Sequence, residues 1–321
     1  MKNSKIKTDV KRKNFSTLLK QKKNVFIRDR YLYLLLLIPL VYFIVFKYIP
    51  MIGLQIAFRD YKIHDGMWGS VWVGTKHFVR LFSSPDFYTT LYNTVVLSFL
   101  NIIFGFPMPI ILAILLNEVN NMPFKRVTQS LLYMPHFISW IVLGGIITSI
   151  LSPGTGIINN FIKSLGNEPI YFMGDTGWWR VIYVLSGIWK EAGWGTIVYL
   201  AAISGINGEL YEAARIDGAN KLRQMWHITL PGIRSTIAIL LIMRMGQVLQ
   251  VGFEQIYSLQ NDMVLSVSDV ISTYEYRIGL LSMQYSYTTA LGLFKGVVGL
   301  IFVVLTNYIV NKLSDGESGL W

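Results

Sequence analysis

The chain has 321 residues, of which 53% are hydrophobic and only 15% are charged, and its formal net charge is +11. Soluble globular chains average about 25% charged residues, so this composition excludes an ordinary soluble domain and indicates a membrane or an acidic partner. The sequence contains no cysteine and four histidines, which excludes disulfides and thiol nucleophiles and disfavours a histidine-rich metal site.

The positive charge is concentrated at the start of the chain. Residues 1–30 contain eleven Lys and Arg against two Asp, whereas the remaining residues carry a net charge of only +2. Such a segment fits either an arm that binds nucleic acid or the cytoplasmic flank of a first membrane helix. The apolar, uncharged stretch 31–46 follows at once, without a small-residue cleavage site after it. We therefore expect residues 1–30 to be a basic cytoplasmic segment rather than a nucleic-acid arm or a cleaved signal peptide.

Six stretches are long and apolar enough for helices that cross a bilayer core, which needs about 20 residues for each helix. In chain order they are 31–52, 93–116, 129–151, 179–204, 235–253 and 287–310. Pro107 and Pro109 predict a kink in the second stretch. The last three stretches include internal charged residues, which are Lys190, Glu191, Arg244 and Lys295.

The distribution of Lys and Arg predicts the orientation. An even number of spans places both termini on one side, and the segments on that side contain 18 Lys and Arg against 7 in the segments on the other side. Because basic residues accumulate on the cytoplasmic side, both termini are predicted to be cytoplasmic. The predicted fold is an all-α, polytopic membrane protein with a transmembrane domain over residues 31–311 and a cytoplasmic tail over residues 312–321.

Residues 205–234 form the cytoplasmic loop with the most distinctive pattern. Gly218 separates two short amphipathic helical stretches, and Ala213 with Ala214 gives the first stretch a small face that another protein can approach closely. A pair of amphipathic helices of this kind could dock in a groove on a partner protein. It is equally consistent with an interfacial helix that lies on lipid. The residue pattern alone leaves both interpretations open.

The spacing within this loop resembles the EAA loop of ABC importer permeases. That pattern reads E-A-A, three residues, G, nine residues and I-x-L-P, and this sequence fills every position. The matching residues, with the aspartate that precedes the glycine, are Glu212, Ala213, Ala214, Asp217, Gly218, Ile228, Leu230 and Pro231. A second run, Phe253–Tyr257, is similar to a shorter pattern of sugar permeases. The chain thus resembles type I ABC importer permeases, in particular their carbohydrate and oligosaccharide branch, maltose-permease-like and LplB-like.

The resemblance implies a coupling role for the loop. In such permeases the loop docks in a cleft of a cytoplasmic ATPase. Glu212 would pair with a basic group there, the two alanines would allow close packing, and Gly218 would permit the turn. The I-x-L-P residues would fix the loop to the membrane helices.

The resemblance also implies partners and a location. The chain has no G-x-x-x-x-G-K-[ST] motif, so no cofactor is expected in it, and ATP and Mg²⁺ would be bound by a cytoplasmic ABC ATPase dimer. The other expected partners are a second homologous permease subunit, an extracellular solute-binding protein, a carbohydrate substrate and membrane lipids, without nucleic acid. The expected location is the plasma membrane of a bacterial-type cell, as a multi-pass protein.

Polar residues inside the predicted spans are the candidates for the substrate path, because ionisable groups in a membrane usually face an interior or a cavity. In sugar-permease relatives the cavity lies between the two helices that flank the coupling loop. The candidates on those helices are Gly187, Lys190, Glu191, Trp194, Arg244, Gln247, Gln250 and Glu254. Arg244 would suit a sugar that carries a carboxylate, such as a uronide. The alternative is that Lys190–Glu191 and Arg244–Glu254 are structural charge pairs.

The predicted function is a transport subunit and not an enzyme, since the acidic residues and histidines are too scattered for a catalytic pair or triad. The subunit would translocate a sugar or oligosaccharide, and acidic, uronide-containing ones are included. Two other classes stay open as alternatives: a membrane-embedded lipid-modifying enzyme and a transporter that works without an ATPase. Neither a catalytic residue nor a metal site is predicted, and a peptide or lipid-linked cargo also stays open.

Overall fold

The computed structural model describes residues 28–313, which are mostly helical. The described chain separates into two units, residues 28–56 with 62–70 and residues 57–61 with 71–313. Most of the predicted basic segment 1–30 and most of the predicted tail 312–321 lie outside the described residues.

The first unit consists mainly of one long apolar helical stretch. Helix α1 (Arg30–Phe43) continues through a π-helical turn (Ile44–Tyr48) into tighter turns, so that Arg30–Phe58 as a whole is long and apolar enough to cross a membrane. Pro50 accounts for the widened turn, because proline has no N–H to donate to the carbonyl four residues earlier. A single helical turn, Gly66–Gly69, forms the rest of this unit.

The second unit begins with a short strand pair that packs against a helix. Strand β1 (Arg59–Asp60) runs antiparallel to β2 (Val71–Trp72), and helix α2 (Lys76–Phe82) follows. His77 of α2 is 6% exposed, and its Nε2 lies 3.1 Å from the carbonyl oxygen of the β1 residue Arg59. The histidine therefore ties α2 to the strand pair.

The next span accommodates its prolines by a widened turn. Helices α3 (Pro85–Leu100) and α4 (Pro107–Asn117) are joined by a π-helical turn at Asn101–Gly105, and the whole stretch is long and apolar enough to cross a membrane. Pro107 has no N–H for the preceding turn, so that turn takes the wider hydrogen-bonding pattern. The span starts eight residues earlier than predicted, at Pro85.

The predicted single helix 129–151 is wrong, because the chain bends sharply inside it. Helix α5 (Met122–Tyr133) passes through a 3₁₀ turn (Met134–Phe137) and meets helix α6 (Trp140–Ile150) at an angle of 99°. The residue before α6 has extended backbone, and Ser139 then caps the new helix by accepting a hydrogen bond from Val142 N at 3.3 Å. The sequence does not show this bend, because residues 127–162 contain no Lys, Arg, Asp or Glu and apolar residues continue on both sides of it.

A short helix and a long one follow. Helix α7 (Ile157–Ser164) contains Asn159, whose fully buried amide bonds the carbonyl oxygens of Leu151 and Ile170, each at 3.0 Å. Helix α8 (Thr176–Ser204) has 29 residues, enough to cross a bilayer. Three uninterrupted helices of the described chain are both long and apolar enough to span a membrane, and α8 is not one of them. If each of two bent helix pairs is counted as one span, the number becomes five.

The last part of the described chain contains the predicted loop and the remaining helices. In order these are α9 (Gly208–Ile216), α10 (Lys221–Gln224), a π-helical turn (Met225–Thr229), a turn (Leu230–Gly232), α11 (Arg234–Gly246), α12 (Phe253–Leu259), short turns (Asp262–Val264 and Leu265–Ser268), α13 (Ile271–Glu275), a π-helical turn (Tyr276–Leu281) and α14 (Tyr285–Leu313). The predicted fifth helix 235–253 is wrong at its end, because α11 stops at Gly246 and residues 247–252 are not helical. Helix α14 is long and apolar enough to span.

Helix α8 is the centre of the second unit. It packs against α4 and α5 on one side and against α12 on another. The buried rings of Trp179 and Tyr183 stack with their centroids 5.6 Å apart, and Trp179 Nε1 donates to the carbonyl of Leu259 in α12 at 2.9 Å. These contacts place α8 among other helices, and its Lys190 is buried there, in the kind of place where a charged residue is tolerated in a membrane protein.

Candidate functional site

A cavity of about 480 Å³ lies between the α3–α4 turn, α8, α11 and the start of α12. Each of these four elements contributes at least one polar side chain to a wall that is otherwise mainly apolar. The polar and charged wall residues that concern the site are Asn101, Tyr183, Glu191, Arg244 and Gln255. A concave site with a few convergent polar groups on an apolar wall is the usual form of a small-molecule site.

Three of the predicted substrate-path residues lie in this wall. They are Gly187, Glu191 and Arg244, and they come from the two helices that flank the predicted coupling loop. Arg244 is in the last turn of α11 and is exposed, while the side chain of Glu191 is 49% exposed. The structure therefore brings one cationic and one anionic side chain of the prediction to a common cavity.

The other five predicted residues lie outside the wall. Gln247 and Glu254 were predicted by continuing the helical period of Arg244 beyond Gly246, with Gln250 nearby, but α11 ends at Gly246. Arg244 and Glu254, which are both in the described part of the chain, form no ion pair with each other. The predicted structural pair Arg244–Glu254 is therefore wrong.

Lys190 and Trp194 were predicted to face the substrate, and instead they face the bend between α5 and α6. Lys190 Nζ donates to the carbonyl oxygens of His136 at 2.5 Å and of Ile138 at 2.8 Å. The ring of Trp194 stacks on that of His136, with centroids 4.6 Å apart and planes 4° apart. The helical spacing grouped these two residues with Gly187 and Glu191, but only Gly187 and Glu191 reach the cavity wall. Lys190 is buried against the bent span, and Trp194 contacts it while remaining 43% exposed.

Glu191 connects the bend to the cavity. Its Oε2 lies 2.9 Å from His136 Nδ1, and its Oε1 lies 3.8 Å from Lys190 Nζ. The alternative prediction of a Lys190–Glu191 charge pair is therefore confirmed, and the same glutamate also belongs to the cavity wall. The Lys190 ammonium offsets part of its negative charge, and Arg244 adds a guanidinium to the same cavity wall.

Sequence reasoning missed three polar residues that shape the cavity. Asn101 Nδ2 donates to the Tyr183 hydroxyl at 2.6 Å, and Gln255 Nε2 donates to the Tyr183 carbonyl at 2.7 Å and to Ser186 Oγ at 3.2 Å. Gly187 permits this arrangement, because a Cβ there would lie 3.3 Å from Gln255 Nε2. An asparagine inside an otherwise apolar span was the available signal, since such a group needs a partner in the membrane.

The predicted coupling loop is a pair of capped helices. Asn207 caps α9 by accepting from Glu209 N at 3.0 Å, and Asn220 caps α10 by accepting from Arg223 N at 2.9 Å. Between them Gly218 has φ +75°, a left-handed conformation that favours glycine, so the predicted break is present at this residue.

The loop presents apolar side chains outward and is fixed at its base. Ile216 is 87% exposed, and Leu222 and Trp226 are also exposed. At the base the Tyr211 hydroxyl lies 3.0 Å from Thr229 Oγ1, and Lys221 Nζ lies 2.6 Å from a carboxylate oxygen of Glu118 at the end of α4. A rigid element with an exposed apolar face is suited to protein contact.

Residues 87–315 match the family described as the binding-protein-dependent transport system inner membrane component. The chain belongs to this family. It is a permease subunit of an ABC importer, a transport protein and not an enzyme.

Relatives and solved structures agree with this assignment. The chain is 50% identical over 288 residues to protein LplB of Bacillus subtilis (strain 168), covering 90% of this chain and 91% of LplB. It is 49% identical over 295 residues to the polygalacturonan/rhamnogalacturonan transport system permease protein YteP of the same strain, covering 92% and 91%.

The fold is similar to that of chains in two solved structures of a bacterial ABC transporter. A chain of a bacterial ABC transporter involved in the import of the acidic polysaccharide alginate superposes with a TM-score of 0.82 at 44% identity, covering 90% of this chain and 98% of that one. A chain of the alginate transporter in complex with alginate pentasaccharide-bound periplasmic protein gives 0.83 at 43% identity, covering 92% and 98%. The permease has the fold of these importer subunits.

Proposed function

We propose that this permease imports acidic oligosaccharides and that Arg244 binds a cargo carboxylate in the cavity. The observation that carries the proposal is the exposed guanidinium of Arg244 in a cavity wall that also offers Asn101, Tyr183 and Gln255. A guanidinium can hold a carboxylate through two parallel hydrogen bonds, and amide and hydroxyl groups suit sugar hydroxyls. YteP and the alginate importer, which are similar to this chain, carry names that refer to acidic polysaccharides.

The proposal includes six membrane-spanning segments. One of them is α8, which the hydropathy criterion does not identify as a span. The bent pairs α5–α6 and α10–α11 would each be one span, and both termini would then be cytoplasmic. The excess of Lys and Arg in the loop between α8 and α11 and in residues 1–30 supports this orientation. The chain would lie in a bacterial plasma membrane, with a transmembrane domain over 31–311 and short cytoplasmic segments at 1–30 and 312–321.

Energy would come from a separate ABC ATPase dimer that binds ATP and Mg²⁺ and docks on the loop from α9 to the turn Leu230–Gly232. In this loop Glu212 would pair with a basic group of the ATPase, and Ala213 and Ala214 would allow close packing. Asp217 precedes the left-handed Gly218, and Ile228, Leu230 and Pro231 would connect the loop to α11. The exposed apolar residues of the loop support a docking role. A second homologous permease and an extracellular solute-binding protein would complete the importer.

The test is reconstitution of the permease with its binding protein, sister permease and ATPase in vesicles. Oligogalacturonates and alginate oligosaccharides would be compared with neutral oligosaccharides of equal length, by cargo-stimulated ATP hydrolysis and by uptake. We expect stimulation by the acidic series only. Equal stimulation by neutral sugars, or by peptides, would contradict the acidic cargo.

Arg244→Gln should reduce uptake of an acidic oligosaccharide about tenfold or more, because a charged hydrogen bond worth about 1.5–3 kcal/mol is lost. Arg244→Lys keeps the charge and should retain part of the uptake, although it loses the two-pronged geometry. Arg180→Gln is the matched control, since Arg180 is on α8 but outside the cavity wall. Equal losses in the Arg180 and Arg244 variants would remove the cargo role of Arg244.

A further inference from the structure

The bend between α5 and α6 places backbone carbonyls where no regular helix satisfies them. Inside a membrane, non-helical backbone persists only where protein groups satisfy it. Here the donor comes from another helix, because Lys190 of α8 bonds the carbonyl oxygens of His136 and Ile138 at 2.5 and 2.8 Å. The two carbonyls lie just before and within the break at which the chain turns by 99°.

The side chain of Lys190 is buried and held in place by its neighbours. It is 5% exposed, and its Nζ lies 5.5 Å from the ring centre of Trp140, the first residue of α6. An ammonium near the last carbonyls of a helix interacts favourably with the helix dipole, and the Trp140 ring adds a cation–π contact. Trp140 is at the same time part of the cavity wall.

We propose that Lys190 is a positioning residue for transport, which holds the broken α5–α6 span bent so that Trp140 stays in the cavity wall. Lys190 is too buried to contact cargo itself, and it acts through the two carbonyls. Glu191 supports it, because this carboxylate bridges Lys190 and His136 from the cavity side. The bent span and α8 then move as one body when the transporter changes state, and the cavity keeps its shape during the change.

The geometry of the bend can be measured directly, because the chain has no cysteine of its own. Spin labels at Leu131→Cys on α5 and Ile146→Cys on α6, both exposed positions, report the distance across the bend in the assembled complex. Lys190→Met, which keeps the chain length and removes the donors, should broaden the distance distribution and shift it to longer values. Lys190→Arg, which keeps charge and donors, should restore a narrow distribution.

Transport gives a second readout. In Lys190→Met we expect maximal cargo uptake to fall about tenfold or more, whereas the binding-protein concentration for half-maximal uptake and the basal ATP hydrolysis stay near those of the parent. Lys190→Arg should recover most of the uptake. These measurements use whichever cargo supports uptake, so they do not depend on its being acidic.

Lys295→Met is the matched control, because Lys295 of α14 is also paired inside the helical bundle, with Glu275, but is remote from the bend. It should leave the Leu131–Ile146 distance unchanged. An unchanged distance in Lys190→Met, or the same broadening in both variants, would overturn the proposal. Should Lys190→Met not assemble, Lys190→Gln replaces it, since its shorter side chain cannot reach both carbonyls. A broadened distribution would support the proposal and an unchanged one would overturn it.

Discussion

Gly193 shows how closely two helices approach each other at the level of single atoms. A Cβ added at this position would lie 1.9 Å from the carbonyl oxygen of Leu132 in α5, a distance that no side chain can occupy. The α8 backbone therefore rests directly on the α5 backbone, as small residues allow in membrane helix pairs. The contact lies one helical turn from Lys190, so the glycine and the lysine hold the same neighbouring helix.

Gly193→Ala should consequently destabilise the permease. Because the obstacle is backbone and not a flexible side chain, we expect a loss of at least about 1–3 kcal/mol, which is typical of overpacking. The measurement is the unfolding midpoint of the purified complex in detergent. Gly145→Ala in α6 is the control, since nothing lies within 4 Å of its added Cβ. Equal midpoints for the two variants would contradict the close contact.

The sequence predicted the structural role of some single residues but not of others. A break at Gly218 was predicted, because a glycine separates two amphipathic stretches there, and the structure adds that this glycine is left-handed. The orientation of Lys190 was not, because the helical period gives the face of a residue but not which element covers that face. Asn101 could have been noted as a polar residue in an apolar span, but its partner Tyr183 and the role of Gln255 follow only from the positions of the π-helical turn and α12.

At the scale of elements, one buried histidine connects α2 to the strand pair. His77 is buried, and its Nδ1 has no hydrogen-bond partner among the described residues, while Nε2–H donates to the carbonyl of Arg59. Burial lowers the pKa of His77 below its ordinary value, although the bond to Arg59 and the charge of Asp60 act in the opposite direction. The neutral ring is therefore the form that fits this element.

The sign of the pH effect follows from this lowered pKa. Below the ordinary histidine pKa of about 6.5, the unfolded chain binds a proton that the folded chain resists, so stability is full above that pH and is lost as the pH falls. We expect a lower unfolding midpoint at about pH 5.5 than at about pH 7.5. His77→Gln can still donate to the carbonyl but does not titrate, and it should reduce the difference. The same acid loss in the variant would assign the effect to other groups.

The sequence predicted where helices occur better than it predicted where they bend or end. The long apolar stretches at α1, α3–α4 and α14 were expected from composition, and all three are long and apolar enough to span. The bend at residues 138–139 and the end of α11 at Gly246 were not expected, because the apolar pattern continues through both. Direction depends on which groups satisfy the backbone at a break, and those groups are distant in sequence.

At the scale of the whole molecule, the proposed importer requires that movement of its ATPase reaches the helices around the cavity. The loop is suited to transmit it, because α9 and α10 are capped at their starts, and Lys221 ties the loop to Glu118 at the end of α4. Gly218 is the point at which the two short helices change direction. Under the proposed function, two capped helices joined at a sharp turn and tied to α4 would transmit this movement as a lever.

Gly218→Ala should therefore impair coupling. No atom lies within 4 Å of the added Cβ, so the only penalty is the left-handed backbone, about 1–2 kcal/mol. We expect lower uptake for each ATP hydrolysed, with normal insertion of the permease in the membrane. Gly208→Ala is the matched control, because this glycine also has open space but lacks a positive φ. Normal coupling in the Gly218 variant would contradict the role of the turn.

The polarity of α8 also has a consequence for how the protein is made. Lys190 and Glu191 lie at the middle of α8 and are costly for a helix that enters a bilayer alone, since a lysine at a helix centre opposes insertion by about 2.5–3.5 kcal/mol. The carbonyls of the α5–α6 bend accept the ammonium of Lys190 only when that pair is already in the membrane. We expect α8 to be retained during synthesis by the helices that precede it, so that the order of the chain is also the order of its assembly.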